Sequence, residues 1–222
     1  MDNIIIWDEE QELRQTCMLM ITHKCNLNCS YCYEKYKSDK KMDFKTAISA
    51  IKKEANKVKR SKKLKGLEID FMGGEPMTNF SLIKEVVEWA EDGNIEVPYI
   101  FSTTTNGTLL NEAQKKWFKK HKASIICTCS YDGNKRMQEQ NRGSSSKDID
   151  LDFFNETWKF QPFHLTISKE TLPNLAEGII EANNKGYFIE ASLAEGVEWG
   201  KKAASIYKGE LEKLSEFYLK IS

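Results

Sequence analysis

The chain has 222 residues, 40% hydrophobic and 30% charged, with Lys plus Arg and Asp plus Glu each totalling 33. That length suits one large domain or two small ones around a buried core, and a net charge of zero gives no global attraction to nucleic acid or to an anionic membrane. No apolar run reaches the length of a bilayer span, and "MDNIIIWDEE" is too short in its apolar part and too acidic for an export signal. The six cysteines are therefore expected in a reducing, cytoplasmic setting, where clustered thiols bind metal or do chemistry rather than pair.

From Cys17 onward, apolar runs and amphipathic stretches alternate. "CMLMIT" (17–22) reads as a buried strand, and "DFKTAISAIKKEANKV" (43–58) as a helix with Asp43 at its N-cap. "LEIDFM" (67–72) is the second strand and "SLIKEVVEWAED" (81–92) the second helix. "YIFSTTT" (99–105) is the third strand, and Asn111 and Gln114 open the next helix at capping-box spacing. "SIICTCS" (124–130) is the fourth strand, and "DLDFFNETW" (150–158) a short helix. "FHLTIS" (163–168) is the fifth strand, followed by a helix over 171–184 with Pro173 in its first turn and Gly186 just past its end. "YFIEASLA" (187–194) is the sixth strand. Spacing places Tyr207, Leu211, Leu214 and Tyr218 on one face of a last helix. "NRGSSSKD" (141–148) reads as a surface loop, and the basic run over 52–65 as a solvated helix end.

Six successive βα units imply an α/β protein with a parallel sheet, either an open doubly wound sheet or an incomplete barrel. In both, ligands gather at the C-terminal ends of the strands. That is where the unusual segments fall. A cysteine cluster follows strand one, "GGEP" strand two, "NGT" strand three and "YDG" strand four.

Cys25, Cys29 and Cys32 stand in a C-x-x-x-C-x-x-C run that Asn26, Asn28 and Ser30 keep out of regular structure. Soft thiolates suit zinc or an iron–sulfur cluster. A closed zinc site wants a fourth Cys or His, and His23 lies too close to the first cysteine for ordinary spacing. A cubane 4Fe–4S cluster takes four thiolates, so three leave one iron open to a small molecule. Cys17, Cys127 and Cys129 lie on expected strands and read as core, where free cysteine behaves as a small hydrophobe. His121 and His164 read as structural or solvent-facing.

"CNLNCSYCY" resembles the signature of the radical S-adenosylmethionine enzymes, and the resemblance runs from strand one to the end of the chain. It implies a partial (β/α)6 barrel of parallel strands with outer helices, in which S-adenosylmethionine chelates the open iron. One electron then cleaves the cofactor to methionine and a 5′-deoxyadenosyl radical, which abstracts hydrogen from a substrate. By the same resemblance Cys25, Cys29 and Cys32 are the cluster ligands. "MGGEP" contributes Gly73, Gly74, Glu75 and Pro76 toward the cofactor's ammonium group, and Asn106 stands near its methionine or ribose end. "SYDGNKRMQEQNRG" (130–143) is similar to a stretch of the peptide- and protein-modifying branch, with Ser130 and Arg142 placed for the carboxylate or ribose. Asn134 and Gln138 depart from the usual Pro and His there. Tyr31 and Tyr33 in the cysteine loop and Leu193 on strand six complete the expected cofactor-binding set, Leu193 being more simply a core residue.

The resemblance divides the chain into an N-terminal extension over 1–16 and a core over 17–222, without the auxiliary-cluster domain that usually follows. The expected partners are a peptide or protein substrate and a ferredoxin or flavodoxin as electron donor, with no nucleic acid and no membrane. Thioether formation and sulfatase-type maturation both fit. The alternatives are a compact radical enzyme, such as an activase for a glycyl radical enzyme or a modifier of small molecules, and a non-enzymatic zinc or thiol module. No group beyond the radical generator is singled out as catalytic.

Overall fold

Residues 13–221 are described by a computed structural model, and they divide into two compact units. Among the described residues, the first comprises 13–26, Tyr36–Thr105 and Leu109–Cys127; the second comprises Leu27–Lys35, Asn106–Thr108 and 128–221. The first four strands form one sheet, each beside the next in chain order, and the fifth and sixth form a separate ribbon.

In the first unit, β1 (Arg14–Thr22) pairs in parallel with β2 (Gly66–Gly73), and β2 pairs in parallel with β3 (Tyr99–Thr105). β1 starts earlier than the apolar run at Cys17, because Arg14, Gln15 and Thr16 already pair with Gly66, Leu67 and Glu68. One face of β1 buries Cys17, Leu19 and Ile21, and α1 (Phe44–Arg60) packs on that side through Ala47, Ile48 and Ile51. Asp43 caps α1 as expected, accepting from the Thr46 amide at 2.7 Å. Beyond β2, α2 (Phe80–Trp89) ends in a wider turn over Ala90–Asn94 that closes at Gly93, whose φ is 85°. α3 (Glu112–His121) opens with the Asn111/Gln114 capping box. Phe71 stacks on Phe101 at 5.4 Å between β2 and β3, and Phe80 meets Trp117 and Phe118 between α2 and α3. β4 (Ile125–Cys129) begins in this unit.

In the second unit, β5 (Phe163–Ile167) and β6 (Ile189–Leu193) are parallel, and a single bridge joins Ser130 to His164. An apolar cluster of Met137, Leu165, Ile167, Leu175, Ile179 and Leu214 lies under the ribbon. It gathers α4 (Lys135–Arg142), α6 (Leu175–Asn184) and α7 (Ala203–Ile221), while α5 (Leu151–Thr157) is capped by Asp150. Pro173 sits in a short 3-10 turn before α6, and Gly186 takes φ 80° after it.

Three expectations need correction. Residues 141–148 are not simply a surface loop: Asn141 and Arg142 end α4 and are buried with Ser145. The inward face of this helix includes Gln138, Asn141 and Arg142, so apolar periodicity does not reveal it. The stripe of α7 is also rotated. Leu214 is buried and Tyr207 partly so, but Leu211 and Tyr218 are exposed, while Glu210 is only 4% exposed. Glu210 earns that place by accepting from the Ala176 amide at 2.8 Å, in the first turn of α6, where a carboxylate suits the helix N-terminus. Finally, Leu193 is not core; it is 45% exposed on the edge strand β6.

Candidate functional site

In the first unit, the chain entering the cysteine loop is held by the end of β2. Gly74 donates to the Thr22 carbonyl at 3.0 Å, and Glu75 to the Lys24 carbonyl at 2.8 Å. A Cβ on Gly73 would stand 2.7 Å from the Thr22 oxygen, and one on Gly74 2.7 Å from the Lys24 oxygen. The two glycines are thus required by the backbone that leads directly to Cys25. Glu75 is buried, and its Oε1 accepts from the Met77 amide at 3.0 Å and the Thr105 hydroxyl at 2.7 Å. It ties the ends of β2 and β3 together, with Pro76 buried beside it.

In the second unit, a polar network centred on Asp132 secures the rest of the loop. Asp132 is fully buried and accepts from the Tyr31 hydroxyl (3.1 Å), Asn141 Nδ2 (3.1 Å), Arg142 Nε (3.0 Å) and the Thr166 amide (3.1 Å). The Arg142 guanidinium also lies 5.2 Å from the centre of the Tyr31 ring. Burial pushes the Tyr31 phenol far above its ordinary range, against the opposing pull of Arg142. The Ser30 amide donates to the Asn141 carbonyl at 2.9 Å, and the Cys32 amide closes a turn onto the Cys29 carbonyl at 3.1 Å.

The two departures from the family pattern have local explanations. Asn134 caps α4 through the Met137 amide, and Gln138 accepts from the Asp132 amide while donating to Ser145. The structure therefore brings Tyr31 and Arg142 together, with Ser130 at the start of the same segment and half-buried. Asn106 is buried, and its Oδ1 holds the Thr108 amide and hydroxyl at 3.0 and 2.7 Å. Tyr33 is exposed. Leu193 pairs in register with Ile167 on the apolar side of the ribbon, the face opposite Thr166. Asp132 and Asn141 are the residues that sequence reasoning missed. The available signal was an acid ten positions before Arg142 in a segment with few apolar residues.

Cys25, Cys29 and Cys32 are partly exposed thiols on irregular chain, whereas Cys17, Cys127 and Cys129 are at most 5% exposed on strands, as expected for core. Among the described residues, no three His, Cys, Asp or Glu side chains are already gathered into a metal site. The thiolates would close around a cluster as it binds, the usual coupling of ligand ordering to metal capture. Three accessible soft donors on an irregular loop fit an iron–sulfur cluster with one open iron.

An α/β chain with parallel strands and a three-cysteine loop after the first strand fits the class of iron–sulfur proteins. The comparisons fix the family. The model of the 4Fe-4S single cluster domain matches residues 14–150, and the chain belongs to that family, within the radical S-adenosylmethionine superfamily. Both cofactors expected from the sequence, the 4Fe–4S cluster and S-adenosylmethionine, are those of that superfamily.

The radical SAM cyclopropyl synthase TigE of Paramaledivibacter caminithermalis is 28% identical over 191 residues, 78% of this chain and 39% of that protein. The cysteine-type anaerobic sulfatase-maturating enzyme of Clostridium novyi is 26% identical over 132 residues, 55% of this chain and 33% of that protein. Among solved structures, native anSMEcpe with bound AdoMet and a peptide matches with a TM-score of 0.73 at 20% identity, over 92% of this chain and 59% of that one. The Streptococcus suis SuiB structure with S-adenosylmethionine matches with a TM-score of 0.64 at 16% identity, over 95% and 49%. The fold is thus that of the partial-barrel structures, as expected. The chain spans less than half the length of these curated relatives.

Proposed function

We propose that this chain carries a 4Fe–4S cluster on Cys25, Cys29 and Cys32, binds S-adenosylmethionine at the open iron, and modifies a side chain of a peptide or protein. The observation that carries the reading is the contrast among the six cysteines. Three are accessible at C-x-x-x-C-x-x-C spacing on a loop anchored at both flanks, and three are sealed in strands. When bound, the cluster and its cofactor supply a 5′-deoxyadenosyl radical for hydrogen-atom abstraction.

The chain's own residues do the positioning. Gly73, Gly74 and Glu75 fix the approach to Cys25, and Asp132 holds Tyr31 and Arg142 in one arrangement. Arg142, whose Nε and one terminal nitrogen are engaged by Asp132, offers its remaining N–H groups beside the loop for a carboxylate, and the Tyr31 ring offers an aromatic face for the adenine. Ser130, Asn106, Pro76, Tyr33 and Leu193 complete the proposed cofactor contacts.

A peptide substrate is supported by the relatives, since one anSMEcpe structure holds a peptide and one SuiB structure holds the precursor peptide SuiA. A ferredoxin or flavodoxin is the proposed electron donor, in the cytoplasm. No helix of the described residues is long and apolar enough to cross a membrane. The test is anaerobic incubation of the reconstituted, reduced protein with S-adenosylmethionine and pooled synthetic peptides, read by mass spectrometry. A peptide whose mass changes only in the presence of S-adenosylmethionine supports the reading. Release of 5′-deoxyadenosine with every peptide unaltered removes the peptide substrate.

A further inference from the structure

In the first unit, residues 38–42 run antiparallel to the end of β1 and are bonded to it. The His23 amide donates to the Lys40 carbonyl at 3.1 Å, the Ser38 amide to the His23 carbonyl at 3.4 Å and the Met42 amide to the Ile21 carbonyl at 2.9 Å, with a bridge between Thr22 and Lys41. This strap therefore lies one strand spacing, roughly 5 Å, from His23, two residues before Cys25. Its charge is one-sided. The strap and its flanks carry Lys24, Lys37, Lys40, Lys41 and Lys45 against Asp39 and Asp43, and Asp43 is engaged as the cap of α1. Lys24 and Asp39 pair at 2.9 Å with side chains 55% and 85% exposed, a bond that solvent leaves weak and readily exchanged. Lys41 Nζ donates to the Thr78 carbonyl at 2.7 Å, a partner that leaves its charge uncompensated. Lys40 and Lys45 are exposed. Tyr36, just before the strap, is the most exposed of the large apolar side chains among the described residues, at 88%.

We infer that this strap is the docking surface for the electron donor, a small protein with an acidic face around a one-electron centre. The lysines draw such a face in and set its orientation, and Tyr36 supplies the aromatic contact that interfaces favour. Position selects this surface over the chain's other basic run. Electron transfer weakens steeply with distance, and the strap adjoins the backbone that leads into Cys25, one of the proposed cluster ligands. Arg60, Lys62 and Lys63 lie at the far end of α1, whose 17 residues extend roughly 25 Å. The step served is the passage of one electron: the donor is oxidised, the cluster is reduced, and no bond is made or broken.

The inference rests on the radical-enzyme reading, and its readouts keep the two failures apart. Lys40→Glu with Lys45→Glu reverses two charges at the strap. Lys62→Glu with Lys63→Glu makes the same change in net charge at the far end of α1. Binding of a flavodoxin, and separately of a ferredoxin, to each reconstituted protein is measured by calorimetry across salt concentration. Reduction of the cluster by the pre-reduced donor is followed by anaerobic stopped-flow absorbance. In the wild type both should weaken as salt rises. The strap pair should bind and accept electrons roughly 10- to 10²-fold less well at low salt, the gap closing at high salt, while the far pair matches the wild type. Tyr36→Ser should weaken binding by about fivefold at every salt concentration. Dithionite needs no docking, so it should reduce all variants alike and give the same yield of 5′-deoxyadenosine. Equal losses in the two charge pairs, or a strap pair indistinguishable from wild type, would overturn the docking surface, as would failure of both donors to bind the wild type. Donor-driven reduction that depends on the strap, with no 5′-deoxyadenosine from any reductant, would remove the radical reading and leave the docking surface standing. A chain that assembles no cluster removes both.

Discussion

Replacing Asp132 should expose how much of the second unit's order depends on one carboxylate. It is fully buried, and it neutralises an Arg142 guanidinium that is itself only 7% exposed. Asp132→Ala leaves that cation buried without its counter-ion, a change that typically costs about 3–5 kcal/mol. The Tyr31 hydroxyl, Asn141 amide and Thr166 amide lose their shared acceptor at the same time. For a chain of this size, 1 kcal/mol moves a melting temperature by about 2–4 °C, so a fall of about 6–20 °C is expected. Asp132→Asn keeps an acceptor but loses the charge, and should lie between wild type and Ala. Combining Asp132→Asn with Arg142→Met should cost less than the sum of the two singles, by about 0.5–3 kcal/mol, because the pair is removed together. Urea and thermal unfolding followed by circular dichroism supply the numbers. A drop of under about 2 °C for Asp132→Ala, or strict additivity in the cycle, would refute the hub.

Three further outcomes follow from local geometry. Gly133 has φ 88° and a Cβ there would meet the Gly178 backbone at 2.9 Å, whereas Gly143 has φ 65° with nothing within 4 Å. Gly143, with ψ −163°, lies in a backbone region that glycine alone adopts readily, so Gly143→Ala should cost about 1–3 kcal/mol of backbone strain without a clash, and Gly133→Ala should add the clash to its own strain; a Gly133→Ala melt above that of Gly143→Ala would contradict the contact. Burial raises the Asp70 carboxyl above its ordinary value, with Glu68 adding to the rise and the Ser102 hydroxyl opposing it. The folded state then binds the proton more tightly than the unfolded one, so stability falls as pH rises through that window. Asp70→Asn should therefore stabilise at pH 7 and gain nothing at pH 3; a gain independent of pH would count against burial as the cause. In the cluster-free protein, iodoacetamide should label Cys25, Cys29 and Cys32 well before Cys17, whose thiol burial pushes up to about 11, and before the buried Cys127 and Cys129. Peptide mapping that found Cys17 labelled first would reverse that order.

Much of the architecture was legible because it rests on local chemistry. Asp43, the Asn111/Gln114 box and Gly186 mark helix ends through hydrogen bonds and φ values that only nearby residues set. The strands were legible because their inward residues are apolar. The errors fall where burial is polar. Gln138, Asn141 and Arg142 on α4, and Glu210 on α7, are interior because each meets a specific polar partner, Asp132 for the first three and the Ala176 amide for Glu210, and hydropathy carries no record of such pairings. For the same reason, the cysteine spacing was readable from a few residues while its anchorage by Asp132 was not. The glycines of the GGEP segment were identified, but as aids to a ligand; the structure adds the neighbouring Thr22 and Lys24 backbone that forbids a Cβ.

The central claim is an iron–sulfur cube on three thiolates with S-adenosylmethionine at its open corner. Its most direct test is the electron paramagnetic resonance spectrum of the anaerobically reconstituted, dithionite-reduced protein, recorded before and after addition of S-adenosylmethionine. The account predicts a reduced 4Fe–4S signal that changes on addition, and loss of the cluster when Cys25, Cys29 or Cys32 becomes Ala but not when Cys17 does. A tightly held zinc ion in place of iron, or a cluster signal indifferent both to S-adenosylmethionine and to the three replacements, would contradict it.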